Sequence, residues 1–372
     1  MSRQAILIAA ILLSTVNLCN AVQYEIIGLG TIDALEDDNW SYAYGINNSG
    51  QVVGRSSKLI PLEPDNPADN GFLWENGVMR ELTVFREGRT ARAMSINDSG
   101  QVVGTARDEM SGTGRHQDAV LWNQSSVISL GSLGGDHGYA EHINNRGEVV
   151  GSAQTVGGPH SISHAFLWQN GYMQDLGTLG GTLSNAYGIN DFCQIVGHSN
   201  LTGDIDYRAF LWENGVMQDI GTLCGTGSSQ AFAINNLGQV VGTADAENGG
   251  MHAFLWTEGE GMIDLDPLNE QYSYARDINN KGQIVGNNNN GNYAFLYEKG
   301  LMINLNTLLE PGSGWDLMYA YGINDNGQIV GYGSSPDGYT QAYLLNPIPE
   351  PASLLLLTLG SILAIRKKQP KI

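Results

Sequence analysis

Positive charge is what this 372-residue chain has least of: 18 Lys and Arg stand against 38 Asp and Glu, a formal net charge of −20. Five of the bases lie at the ends, one before residue 22 and four after residue 365, which leaves 13 for the body between. Such a surface repels phosphate backbones, which argues against a nucleic acid partner and favours solubility outside a cell. Cysteine is also rare, three in all. Helix formers are sparse. There is no Gly-x-Ser-x-Gly elbow and no cysteine with a motif-supported partner, so nothing marks a nucleophilic enzyme. Among seven His, the sequence neighbours His137, His160 and His164 match no recognised ligand spacing, and no transition metal is expected. Asp204-Ile205-Asp206 and Asn287–Asn290 offer oxygens of the kind calcium takes, but without the EF-hand pattern; no cofactor is assigned.

What is abundant is turn chemistry. The chain has 49 Gly and 16 Tyr, and Asn-Gly, Asn-Asp and Ser-Gly pairs recur between short apolar runs. That is the texture of many short strands joined by tight turns, and it predicts an all-β body. One motif appears seven times: GINNSGQVVG (45–54), SINDSGQVVG (95–104), HINNRGEVVG (142–151), GINDFCQIVG (188–197), AINNLGQVVG (233–242), DINNKGQIVG (277–286) and GINDNGQIVG (322–331). Successive copies are offset by 50, 47, 46, 45, 44 and 45 residues. Each is followed by a second motif, as in GFLWENG (71–77) and AFLWENG (209–215), which degenerates to AYLLNPI (342–348) in the last copy.

Each repeat reads as four strands. The run ending in Ile-Asn is the first, and Asn-x-x-Gly is a hairpin turn whose Gly takes positive φ. Gln-Val/Ile-Val-Gly opens the second strand, Ala-Phe-Leu-Trp is the third, and a turn such as Glu213-Asn214-Gly215 leads into the fourth. Strands apolar at consecutive positions need burial on both faces, which a blade between two blades supplies. Four strands per 44–50 residues is the period of a β-propeller, so the expectation is a seven-bladed propeller over residues 22–347. The last repeat lacks its fourth strand, while Tyr24–Thr31 aligns with the fourth-strand segment Met173–Thr178. That orphan is expected to close the ring as the outermost strand of the seventh blade, removing an exposed edge.

Both ends read as addresses. Residues 1–21 have a basic start at Arg3, an apolar core from Ala5 to Val16 and small or polar residues to Ala21, the layout of a secretory signal peptide. Residues 348–372 contain Pro349-Glu350-Pro351, an apolar run over 352–365 and then Arg366, Lys367 and Lys368. The run is of marginal length for a membrane-spanning helix, and the basic residues after it would hold that end in the cytoplasm. This order of elements resembles the PEP-CTERM sorting signal of Gram-negative bacteria. The resemblance implies an exosortase as partner during export, processing near Pro349–Pro351, transient anchoring in the inner membrane and a destination at the cell surface or outside. The units HAFLWQNGYMQDLGTLGG (164–181) and RAFLWENGVMQDIGTLCG (208–225) resemble the HAF repeats of bacterial extracellular proteins. That resemblance implies secretion and a repeat scaffold, without a defined activity.

The expected function is therefore an exported cell-surface or extracellular-matrix propeller, a non-enzymatic module that binds exopolysaccharide or another envelope component. The rival is a secreted glycan-active propeller enzyme, a hydrolase or lyase, which requires acids from several blades to converge in one pocket. No catalytic residue is assigned. Trp74, Trp122, Trp168, Trp212 and Trp256 recur once per repeat inside an apolar strand and read as packing. Trp40 and Trp315 fall outside the motif and are the candidate ligand contacts, together with unequal loops such as Lys58–Asn70, Asp108–Asp118 and Asn200–Tyr207. Cys193 and Cys224 occupy positions that are Gly in most copies, on opposite faces of the proposed scaffold, so two free thiols are expected.

Overall fold

The computed structural model describes residues 23–349 apart from 34–39, 59–67, 84–89, 109–115, 124–125, 157–161, 248, 267–271 and 289–291. The expected signal peptide, and Glu350, Pro351, Arg366, Lys367 and Lys368 of the sorting segment, lie outside the described residues. Pro349 is exposed just past the last strand. Among the described residues no helix is long and apolar enough to cross a membrane.

The described body is all-β and has a propeller fold built of four-stranded antiparallel sheets. In the first repeat Ser41–Ile46, Val52–Lys58, Ala68–Glu75 and Val78–Glu81 lie side by side in chain order. The fourth repeat does the same with Gly180–Ile189, Ile195–Leu201, Tyr207–Glu213 and Val216–Asp219. The second and third repeats join into one eight-stranded sheet through a single parallel bridge, His137 to Gln117, which the repeat pattern does not foretell.

The first strand, Gln23–Gly28, pairs antiparallel with the last, Thr340–Ile348, from Gln23 opposite Ile348 to Gly28 opposite Tyr343. It forms the outer edge of the sheet that holds Asp316–Ile323 and Ile329–Ser334, as the orphan-strand reading expects. The regular strand stops three residues short of Thr31, although the Leu29 amide still donates to the Ala342 carbonyl at 2.9 Å.

Apolar clusters sit between sheets, each drawing on two neighbouring repeats. One packs Val196 and Ala209 of the fourth repeat against Ala231, Phe254 and Trp256 of the fifth. Another packs Ala43, Val52, Phe72 and Trp74 of the first repeat against Val330, Ala342 and Leu344 of the last. Burying a side chain the size of Phe254 is worth about 1.5–3 kcal/mol, so the motif Ala-Phe-Leu-Trp carries much of the drive for sheet-on-sheet packing. The recurrent tryptophans belong to these clusters, with Trp122 only 2% exposed.

The Asn of each Ile-Asn pair ties one repeat to the next. Asn47 Oδ1 accepts from the amides of Ser49 and Gln51 at 3.1 and 3.0 Å, while its Nδ2 donates to Gln51 Oε1 at 2.7 Å and to the Asn97 carbonyl at 3.0 Å. The same cross-repeat bond runs from Asn97 to Asn144, Asn190, Asn235, Asn279 and Asn324 in turn. Asn324 donates in the same way to the Asn47 carbonyl at 2.9 Å, 277 residues away in the chain. The Gly that ends each Val-Val-Gly is equally constrained. A Cβ on Gly197 would collide with the Asn185 carbonyl oxygen, and the corresponding glycines meet the same obstacle in the other repeats.

Candidate functional site: the central cavity

The inner strand of each repeat reads x-Ala-x-x-Ile-Asn. Its Ala is fully buried between sheets, as at Ala43, Ala140 and Ala275, and its Asn is in the ring just described. Between them the pairing with the second strand slips by one residue in every repeat, for example between Ala43 and Gly45, Ala140 and His142, and Ala275 and Asp277. Such a β-bulge leaves one residue unpaired and re-aims its side chain. The residues skipped are Tyr44, Met94, Glu141, Tyr187, Phe232, Arg276 and Tyr321, and all seven line one cavity of about 660 Å³. Because of the bulge, consecutive residues face the same space: Glu141 with His142, and Arg276 with Asp277. Towards the turns the space narrows to about 150 Å³ between the Asn residues of the ring.

The wall is aromatic and charged. Tyr319, Tyr321 and Tyr332 stack with ring centroids 4.7–6.0 Å apart and planes within 25°. Tyr187 stacks on His198 at 5.5 Å. Arg276 has its guanidinium over the rings of Phe232 and Tyr274, both at 4.9 Å, and of Tyr321 at 5.5 Å. Its Nε donates to Asn287 Oδ1 at 3.1 Å.

Two acids line this cavity. Burial pushes the Glu141 carboxyl up to about 7. Asp277 is also held up at about 7 by burial, against the pull of the Ile278 and Ile323 amides, each donating to it at 2.8 Å. Burial acts oppositely on imidazoles and depresses both His142 and His198 to about 4. His142 Nδ1, His198 Nδ1 and Asn287 Nδ2 are buried without a hydrogen-bond partner. The site thus offers faces for stacking, a cation and polar groups that a ligand would complete.

The two candidate tryptophans part company. Trp40 does not line the cavity but lies behind it: its ring lies 5.2 Å from Tyr42, Arg55 lies over both rings at 5.5 and 4.7 Å, and Arg55 Nε donates to the hydroxyl of the cavity residue Tyr44 at 2.7 Å. Trp315 packs over Gly28 and edge-on to Tyr343 at 6.4 Å, where the first strand joins the last sheet, and is not among the residues lining the cavity. The loops 58–70 and 108–118 fall largely outside the described residues. In the third loop the Asp204 carboxylate accepts from the Thr182 amide and hydroxyl at 2.7 and 3.0 Å and from Asn200 Nδ2 at 3.2 Å. The Thr182 amide holds this carboxyl below its usual range. Among the described residues no three His, Cys, Asp or Glu side chains cluster as metal ligands. Cys193 and Cys224 are both free.

Sequence reasoning missed Glu141, His142, Arg276 and Asp277. The signal was present as contrast: Ala and Ile-Asn repeat without change, while the two positions between them vary from Gly and Ala to Glu, Arg and Asp.

Comparison with known proteins adds the fold. Residues 3–133 match a family described as protein of unknown function, DUF3466. No curated protein matches the chain. Among solved structures, the β-propeller domain of the Trilobed protease from Pyrococcus furiosus is similar over 84% of this chain and 94% of its own, with a TM-score of 0.59 at 8% identity. That domain is described as having an open velcro topology. In this chain the first and last strands are hydrogen bonded. A puromycin-hydrolyzing peptidase from Mycobacterium tuberculosis is similar over 86% of this chain, with a TM-score of 0.54 at 10% identity, and this chain spans 51% of its length.

Proposed function

We propose that this chain is an exported binding protein, a propeller of seven blades closed by its first strand, which holds saccharide in its central cavity at the cell surface. The observation that carries the reading is the bulge repeated in every inner strand, which turns Tyr44, Tyr187, Phe232, Arg276 and Tyr321 towards one shared space. Aromatic faces pack on the C–H faces of sugar rings, and buried amides and carboxyls satisfy hydroxyl groups. Ring closure is supported by the pairing of Gln23–Gly28 with Thr340–Ile348 and by the Asn324 to Asn47 bond. Export rests on the N-terminal segment, the HAF-type repeats and the PEP-CTERM-like end. In this reading an exosortase handles residues 349–351 and the basic cluster Arg366–Lys368 during transit, and the ligand is exopolysaccharide or another envelope glycan.

The test is calorimetric titration of the purified protein with oligosaccharides from the host's own exopolysaccharide, repeated with Tyr274→Ala. Binding weakened at least tenfold by that substitution, with the melting transition still cooperative, supports the cavity. Binding that ignores cavity variants would overturn it.

A second reading, a glycan-active hydrolase or lyase, is favoured by one observation: Glu141 and Asp277 share the cavity with carboxyls held at about 7, the range in which a general acid works. Release of reducing ends from the same oligosaccharides, abolished by Glu141→Gln, distinguishes it from simple binding.

A further inference from the structure

Arg276 is a cation without a counter-ion. Among the described residues no carboxylate lies within salt-bridge distance of its guanidinium, although the chain has an excess of acids. Its position is nevertheless fixed. Phe232, Tyr274 and Tyr321, from three successive repeats, hold the guanidinium by cation–π contact, and its Nε is spent on Asn287 Oδ1 at 3.1 Å. Asn287 comes from the second strand of the same repeat and is 1% exposed, and both residues line the cavity. Orienting the amide so that Oδ1 meets Arg276 leaves Nδ2 buried with no acceptor. A buried donor left unpaired is costly, so a site that keeps one has an acceptor to come.

We propose that Arg276 and Asn287 form a clamp for a carboxylate, and that the saccharide taken by the cavity is acidic, a uronate or similar carboxylated sugar. The inference rests on the saccharide-binding reading and narrows it. A guanidinium whose Nε is occupied still presents donors at both terminal nitrogens, and the neighbouring Nδ2 adds one more in the same cavity; three donor nitrogens suit two carboxylate oxygens. The stacked rings beside the clamp serve the sugar ring that bears the group. Recognition has to be short-range, because a chain of net charge −20 repels an anion at a distance. Added salt should therefore speed association rather than slow it.

The decisive experiment titrates the purified protein with uronate oligosaccharides, each paired with its methyl ester, which keeps the ring and removes the charge. The clamp predicts that at least one acid binds tenfold or more tightly than its ester. Asn287→Asp is nearly isosteric, replaces the free N–H donors by a carboxylate and gives Arg276 an internal partner; it should bring the acid down to the affinity of the ester and leave the ester unchanged. Arg276→Met keeps much of the side-chain volume and should act in the same direction. Thermal melts of both variants check that the fold survives. If esters bind as well as acids, and Tyr274→Ala weakens both, the carboxylate clamp is wrong and the saccharide cavity stands. If neither form of any saccharide binds, both fall. Tighter binding of a peptide through its C-terminal carboxylate than of every uronate would also overturn the sugar assignment.

Discussion

The two ends of the central cavity are built from the same seven strands and follow opposite rules. At the turn end the repeats are alike: Asn47, Asn97, Asn144, Asn190, Asn235, Asn279 and Asn324 each make the same bond to the next repeat. Three residues earlier in each strand the repeats diverge, from Met94 to Glu141 to Arg276. A position that must satisfy its neighbour repeat has one solution, and every copy uses it. A position that faces open space is released from that demand and is free to serve a ligand. Divergence among internal copies therefore separates positions tied to a neighbouring repeat from positions that are not.

The strongest way to break this comparison is to disturb the Asn ring. Asn235→Asp keeps the shape and removes the two donors that now reach Gln239 Oε1 at 2.8 Å and the Asn279 carbonyl at 3.1 Å. It sets a carboxylate against both acceptors in a site only 4% exposed. Loss of buried, paired donors predicts destabilisation of about 3 kcal/mol, read from denaturant unfolding. If the two ends are independent, ligand affinity measured well below the melting temperature should not change. A large loss of affinity with little loss of stability would show that the ring belongs to the binding machinery.

A smaller effect is expected at the variable end, and it depends on pH. Burial raises Glu141 from 4.5 to about 7, so the folded state binds a proton more readily than the unfolded state. Its contribution is fully present below the unfolded value and is lost as pH rises through about 7. Glu141→Gln removes that loss. Because Glu141 retains some access to the cavity, the gain at pH 8 is about 1–2 kcal/mol, fading to nothing near pH 4.5. His142 and His198, held at about 4, act with the opposite sign and add stability as pH rises from 4 towards 6.5. Melting curves of parent and variant at pH 5 and 8 isolate the carboxyl, because the imidazoles are common to both. Equal shifts at the two pH values would contradict a raised carboxyl at this position.

The features legible in the sequence are those that local chemistry decides. Asn-x-x-Gly marks the hairpin because its Gly needs positive φ, as Gly50 shows at 77°. Phe254 and Trp256 mark the packed strand because burial on two faces leaves no polar position. The unmatched Tyr24–Thr31 segment marks the closing strand because an absent fourth strand leaves an edge. The cavity was not legible, because a bulge defeats the period of two that tells inward from outward positions. In Tyr139-Ala140-Glu141-His142-Ile143 strict alternation sets Glu141 and His142 on opposite faces; one unpaired residue lets both face the cavity. Trp315 packs where the first strand joins the last sheet, and the polar groups that line the cavity belong to the strands.

The smallest effect tests how far the repeat rule extends into the turns. At the position where the other six copies have Gly with φ of 75–79°, the fourth has Cys193 at 62°. A side chain in the left-handed region costs about 1–2 kcal/mol, and Gly gives back part of that by loosening the unfolded chain. The Cys193 side chain also packs partly against the cluster of Ile189 and Ile195, and that contact would be lost. Burial pushes its thiol up to about 11, so thiolate chemistry gives no reason to retain it. Cys193→Gly should then raise stability by about 0.5 kcal/mol, whereas Cys193→Ala keeps the strain, loses the contact and should fall below the parent. The ranking Gly above Cys above Ala in thermal melts would confirm that backbone conformation governs this position. Ala matching or exceeding Gly would mean that side-chain packing decides the turn, and that this repeat has left the rule its neighbours obey.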